Sequence, residues 1–275
     1  MKAKAYAKGT ILNALATGIG SAFAIDLILS VRVEQDSENC LIVNGKERDS
    51  SVAEKVLEKF GIRARVKVRS EIPEKSGLGS SSAFLNALIC AVTENRVASE
   101  VLSLNSELSL KAGISYTGAF DDASASLLGG FVISDNYRRV LWDWVIKKAF
   151  VAVLLPGFKR KNVDFEKIKR EGYKLREIES KLKRRDFFDV MRENTIFYAG
   201  LLGYPLEIVE KLWEEKICCG LSGNGPAFVA FGTKSDVATA KEFWSSYGEV
   251  LIRRVPEKPA ESVVITPELF VRKEV

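Results

Sequence analysis

Three short stretches of small and acidic residues carry the chemistry open to this chain. The first is Pro73-Glu74-Lys75-Ser76-Gly77-Leu78-Gly79-Ser80-Ser81-Ser82. Residues 66–70 before it alternate apolar and basic side chains like a short strand. Ala83, Phe84, Ala87, Leu88 and Ala91 after it recur at helical spacing. A strand, a glycine-serine loop and a helix start together make an anion site. The first helical N–H groups lack partners inside the helix, and the helix dipole turns its positive end to the loop. Gly77 and Gly79 allow a backbone approach that a Cβ would block, and the three serines offer hydroxyls to a phosphate or to its magnesium. The stretch has no Gly-Lys-Ser/Thr ending and no third glycine, so it is neither a Walker loop nor a dinucleotide fingerprint. The plain alternative is that Ser80 or Ser81 only caps a helix.

The second stretch, Thr117-Gly118-Ala119-Phe120-Asp121-Asp122-Ala123, sets two carboxylates at the start of a helix of small residues. The third, Leu221-Ser222-Gly223-Asn224-Gly225-Pro226, is a glycine-rich turn that feeds an apolar strand. The chain has no histidine. Any general base is therefore a carboxylate, lysine, tyrosine or cysteine, and Ser-His-Asp or Cys-His chemistry is excluded. Cys40, Cys90, Cys218 and Cys219 have no Cys-x-x-Cys spacing, which speaks against zinc and for reduced, buried thiols.

These motifs need a sizeable scaffold, and 275 residues with 47% hydrophobic content can build one. Strands are expected at 3–7, 22–34, 40–43, 64–70, 131–134, 140–145 and 149–155, and helices at 51–60, 80–95, 100–112 and 121–128. A long charged helix is expected at 165–185, with Ile168, Tyr173, Leu175, Ile178 and Leu182 as its buried stripe. Helices 187–202, 205–215 and 236–247 and strands near 217, 227–231 and 250–255 follow. The domain boundary is placed at residue 148, dividing the chain into 1–148 and 149–275. No apolar run reaches the ~18–20 residues of a membrane span. No signal peptide is read at the start, so a cytoplasmic, soluble enzyme is expected. The net charge of +5 suits anionic small molecules, whereas the basic run 181–185 reads as a helix end rather than a nucleic-acid site.

The motif Pro-x-x-x-Gly-Leu-Gly-Ser-Ser and the late Leu-Ser-Gly-x-Gly-Pro resemble the kinase superfamily named for galactose, homoserine, mevalonate and phosphomevalonate, the GHMP kinases. Within it, residues 9–27 and 117–123 look most like the archaeal shikimate kinases. The resemblance implies an α+β, two-domain fold with an N-terminal α/β domain and a ferredoxin-like C-terminal domain. It also implies ATP-dependent phosphorylation of the shikimate 3-hydroxyl with Mg2+. Homoserine or mevalonate-type kinases, or a catalytically silent ligand-binding regulator on the same fold, are the alternatives. Carried over residue by residue, the resemblance makes Pro73, Gly77, Leu78, Gly79, Ser80, Ser81, Ser82, Ser222, Gly223, Asn224 and Gly225 the nucleotide site, with Ser81 also a metal ligand. Asp121, eight residues before Gly129, becomes the base or orienting group, with Asp122 beside it as a cap or supporting acid. Asn13, Thr17, Ser21 and Asp26 become the acceptor site. Lys8, Arg138 and Arg139 are the cations nearest these motifs in sequence for the carboxylate of the acceptor.

Overall fold

The computed structural model describes residues 1–94 and 96–271. The chain opens with a long hairpin of β1 (Lys2–Leu12) and β2 (Ile19–Gln35). β3 (Cys40–Val43), β4 (Lys46–Arg48), helix α1 (Ser51–Lys59) and β5 (Ala64–Ser70) follow. Helices α2 (Ser80–Val92), α3 (Ala98–Lys111) and α4 (Phe120–Leu128) then lead to β6 (Phe131–Asp135) and β7 (Val140–Val145). These strands form one seven-stranded sheet in the order β4–β3–β5–β2–β6–β7, with β1 also paired to β2. Only the β3–β5 pair is parallel. At 17 residues, β2 is the backbone of this half. It holds β1 along one edge, and β6 and then β5 along the other.

The second half supplies β8 (Phe150–Pro156), α5 (Phe165–Glu171), α6 (Ile178–Lys183), α7 (Phe187–Leu202) and α8 (Glu207–Glu214). β9 (Cys218–Leu221), β10 (Phe228–Gly232), α9 (Lys234–Trp244) and β11 (Gly248–Arg254) complete it. Its four strands form an antiparallel sheet in the order β11–β8–β10–β9. With helices between the first and second and between the third and fourth strands, this is the β-α-β-β-α-β arrangement of a ferredoxin-like fold. Residues 256–271 then return to the first half: Ala260 N–H donates to the Leu127 carbonyl, and Val264 and Phe270 bridge to Val97 and Leu141.

One aromatic cluster locks the two sheets together. The Phe23 ring of β2 lies 4.9 Å from that of Phe231 in β10, and Phe131 of β6 lies 5.1 Å from Phe231 and 5.8 Å from Phe187 of α7. Such pairs add roughly 0.5–1.5 kcal/mol each beyond their burial. Gly9 faces Phe23 across the hairpin, and a Cβ there would fall 2.3 Å from the ring, so the ring's seat requires glycine.

Several elements differ from expectation. The charged helix at 165–185 is three pieces: α5, a 3-10 turn at Gly172–Leu175, and α6. Gly172, at the break, packs closely on Ala16, where a Cβ would come within 3.0 Å of the Ala16 carbonyl oxygen. Ile168, Leu175, Ile178 and Leu182 are buried, but Tyr173 points outward at 57% exposure. The basic run is ion-paired: Lys181 with Glu193, Lys183 with Glu179, Arg184 with Asp186 and Arg185 with Asp143. α9 starts two residues early because Thr233 and Asp236 form a reciprocal capping box. The expected end of the second helix at Asn95 lies outside the described residues. Burial pushes the thiols of Cys90, Cys218 and Cys219 up, the first to about 12, and all four cysteines are free.

Candidate active site

β5 delivers the chain to the start of α2 through a loop whose backbone only glycine fits. Gly77 has φ +90° and Gly79 φ +76°. A Cβ on Gly77 would sit 2.2 Å from the Ser222 carbonyl, and one on Gly79 would sit 2.6 Å from Lys8 Cγ. Gly79 caps α2, which begins at Ser80 with no side-chain cap. The first N–H groups of the helix therefore point out of the loop with their dipole behind them. Leu78 is buried, and its carbonyl accepts from Lys8 N–H at 3.0 Å. The Pro73 carbonyl accepts from Ser76 Oγ. Both residues shape the loop and neither lines the cleft beside it. Ser80, Ser81 and Ser82 do line it.

The late turn closes against this loop. Ser222 Oγ donates to the Gly77 carbonyl at 3.0 Å, and Ala227 N–H donates to the Ser76 carbonyl at 3.0 Å. Gly223 and Asn224 reach the cleft, whereas Ser222 and Gly225 stand behind them. Thr10 ties the two together: its Oγ1 accepts from Lys8 Nζ at 2.7 Å and from Gly223 N–H at 2.9 Å.

α4 brings up the acids. Ala119 takes a left-handed conformation, φ +49°, to start the helix at Phe120, a strained turn at the edge of the cleft. The two carboxylates diverge from there. The Asp122 side chain, 22% exposed, meets Lys8 Nζ at 3.0 Å, and Lys8 itself is 3% exposed. Asp121 also borders the cleft but is only 4% exposed, packed against Gly20 of β2 and Asn136 after β6. Its Oδ1 accepts from Asn136 Nδ2 at 2.8 Å, its N–H donates to Asn136 Oδ1, and a Cβ on Gly20 would strike its carboxylate. Burial first, and then the neighbouring Asp122 charge, push the Asp121 carboxyl up to about 7, against the opposing pull of Asn136 and Lys8.

Of the residues expected to hold the acceptor, only Asn13 borders the cleft. It is fixed from three sides: its N–H donates to Asn194 Oδ1, its carbonyl accepts from Tyr198 Oη, and its Nδ2 donates to Asn224 Oδ1. Thr17 pairs with Ile19 in the hairpin turn. Ser21 is wholly buried and donates to the Val132 carbonyl. Asp26 sits in a bulge of β2, where Oδ1 accepts from Arg254 N–H at 2.8 Å and so joins the two sheets. Ser21 and Asp26 lie along β2, and Thr17 in the turn before it, and none of the three borders the cleft. Arg138 pairs with Asp135, and neither it nor Arg139 borders the cleft. Glu107 pairs with Lys111 on the surface.

Sequence reasoning missed Thr10, Asn136, Asn194 and Tyr198, all of which act through hydrogen bonds between distant segments. It also missed Arg160 and Lys161, which border the cleft from the β8–α5 loop. The cleft of about 540 Å³ is of the size that encloses small ligands. Among the described residues no group of three or more His, Cys, Asp or Glu side chains is gathered to hold a metal ion. A divalent ion would fit here as one that arrives on a nucleotide and meets the Ser81 hydroxyl. No helix among them is long and apolar enough to cross a membrane.

Residues 47–130 match the family model described as GHMP kinases N terminal domain. The chain is 51% identical over 277 residues to the shikimate kinase of Archaeoglobus fulgidus, covering 99% of each. It is 35% identical to that of Pyrococcus furiosus, over 88% of this chain and 94% of the relative. Mevalonate kinase of Methanococcus jannaschii superposes with a TM-score of 0.70 at 17% identity, over 94% of this chain and 98% of the other. Homoserine kinase of Cytophaga hutchinsonii does so at 0.65 and 17%, over 94% and 96%. At that identity the structures speak for the fold alone. Taken with the full-length relatives, the loop, the late turn and the paired acids place this chain in the archaeal shikimate kinase family, on the GHMP kinase fold.

Proposed function

We propose that this chain transfers the γ-phosphoryl group of ATP to the 3-hydroxyl of shikimate. The observation that carries the reading is the meeting of the three-serine helix start with the Lys8–Asp122 pair in one cleft, in a chain matched end to end by archaeal shikimate kinases.

Phosphoryl transfer asks a protein mainly for positioning and for charge placed where it develops. Gly77, Gly79, Ser80, Ser81 and Ser82 cradle the phosphates with backbone N–H groups and hydroxyls. Gly223 and Asn224 complete the opposite wall, and Pro73, Leu78, Ser222 and Gly225 hold these segments in shape. Ser81 would hold a magnesium ion carried on the nucleotide, and that ion would supply positive charge against the phosphates. Asn13 offers a fixed amide to the acceptor's hydroxyls.

The sequence places the base at Asp121, but the geometry favours Asp122. A base must reach its proton before its pKa matters; both carboxylates border the cleft, but Asp122 is the more open, at 22% side-chain exposure, while Asp121 is 4% exposed and held by Asn136. Asp122 takes the hydroxyl proton as the oxygen attacks the γ-phosphorus and ADP departs. Lys8 pairs with Asp122 and presents its positive charge to the moving phosphoryl group. Asp121, which also borders the cleft, adds its negative charge beside the transferred proton once it is itself ionised. The division of the chain into 1–148 and 149–275 is part of this proposal. It is supported by the separate sheets and qualified by the returning tail.

An ADP-release assay across shikimate, homoserine and mevalonate tests the reading. Turnover is expected with shikimate and not with the other two. Turnover of homoserine or mevalonate in preference to shikimate overturns the substrate, and no turnover of any acceptor overturns the kinase.

A further inference from the structure

We infer that Arg160 binds the carboxylate of the acceptor and so sets its specificity. This rests on the shikimate reading and adds to it a residue from an unexpected part of the chain.

A planar carboxylate is best met by a guanidinium, whose two parallel N–H groups match its two oxygens. Among the described residues, Arg160 is the one arginine that borders the cleft. Its exposed side chain has no ion-pair partner, whereas Lys8 is already committed to Asp122. Lys75 and Lys161 are the remaining cations at the cleft. Lys75 leads into the 77–82 loop and so stands on the phosphate side.

Although the Arg160 loop lies at the surface, its backbone is pinned. Lys161 N–H donates to Tyr204 Oη at 3.0 Å, and that hydroxyl donates to the Asn224 carbonyl at 3.1 Å. Asn224 Oδ1 in turn accepts from Asn13 Nδ2. The loop is thus fastened to the wall that carries the acceptor amide Asn13. Asn13 is itself tied to Tyr198, whose hydroxyl burial and the Asp121 charge both push up, so the acid end of the cleft is close by. An acceptor on Asn13 shares the cleft with both Asp122 and Arg160. The Tyr204 anchor costs Arg160 no freedom of its side chain, which can therefore close over a bound anion.

The test is steady-state kinetics with shikimate and with its methyl ester, which has the hydroxyls but no charge. Parent, Arg160→Met and Arg160→Lys are compared, with folding checked by circular dichroism and melting temperature. The parent should prefer the acid to the ester. Arg160→Met should raise KM for shikimate about 10–100-fold, as loss of charge-assisted hydrogen bonds implies, and leave KM for MgATP within about twofold. Its preference for acid over ester should vanish, and Arg160→Lys should fall between the two because an ammonium lacks the fork. A parent that turns over shikimate while Arg160→Met keeps both its shikimate KM and its acid preference overturns the assignment alone. A rise in KM for MgATP with acid preference intact moves Arg160 to the phosphates and also overturns it. A parent inactive on shikimate overturns the substrate reading and this inference with it.

Discussion

Replacing Asp121 by asparagine should make this protein more stable at high pH and leave its stability unchanged at low pH. Asp121 is buried beside Asp122, and its carboxyl is pushed from the ordinary 3.8 up to about 7. Between those values the native state holds a proton that the unfolded chain has released. Stability therefore falls as pH rises from about 4 to about 7 and is level above. A shift of that size corresponds to about 4 kcal/mol at the plateau. Asparagine fits the same space, and its amide oxygen can still accept from Asn136 Nδ2, which now donates at 2.8 Å. The variant should gain up to about 4 kcal/mol at pH 8, or about 5–8 °C in Tm for a chain of this length, and the gain should close toward pH 4. Thermal and urea melts of parent and Asp121→Asn at pH 4.5, 6 and 8 measure it. Kinetics give a second readout. The parent's kcat/KM, which reports the free enzyme, should rise through about pH 7, and the variant's should be flat there. A variant no more stable than the parent at pH 8, or one that keeps the pH 7 limb, would refute the reasoning.

Lys8→Met removes the charge that holds Asp122 and faces the phosphoryl group. It should lower kcat ~10²–10³-fold, the range for one transition-state donor, while KM for MgATP changes much less; an equal loss in both would assign Lys8 to nucleotide binding instead. Gly77→Ala drives a Cβ into the Ser222 carbonyl at a φ of +90°. Its Kd for MgATP by calorimetry should weaken at least about 10-fold, and an unchanged Kd would separate the late turn from the phosphate loop. Asp26→Asn keeps an acceptor for Arg254 N–H at the sheet junction. Its kcat and its KM for shikimate should stay within about twofold of the parent, at a stability cost of at most ~1 kcal/mol. A large rise in KM for shikimate would return Asp26 to the acceptor site.

What the sequence determined by itself is what local spacing and residue size can encode. A strand, two glycines and three serines before a helical apolar pattern specify a tight glycine loop feeding a helix start, because φ above zero and free helix N–H groups are local properties. Most strands and helices of both halves were legible in the same way, but β1 runs on to Leu12, the short β4 was not read and the charged helix is broken into three. The absence of histidine narrowed any general base to a carboxylate, lysine, tyrosine or cysteine.

Tertiary structure separated the surroundings of the two carboxylates. Asp121 and Asp122 are neighbours with the same functional group, and α4 turns them in different directions, one to Asn136 and one to Lys8. It also decided that Asp26 belongs to the junction of the sheets and that Gly172 breaks the charged helix against Ala16. Arg160 and Lys161 lie in a loop with no motif, and they reach the cleft only because Tyr204 fastens that loop to Asn224. In each case the deciding contact joins residues far apart in the chain, and no local pattern records which distant segment packing will bring alongside.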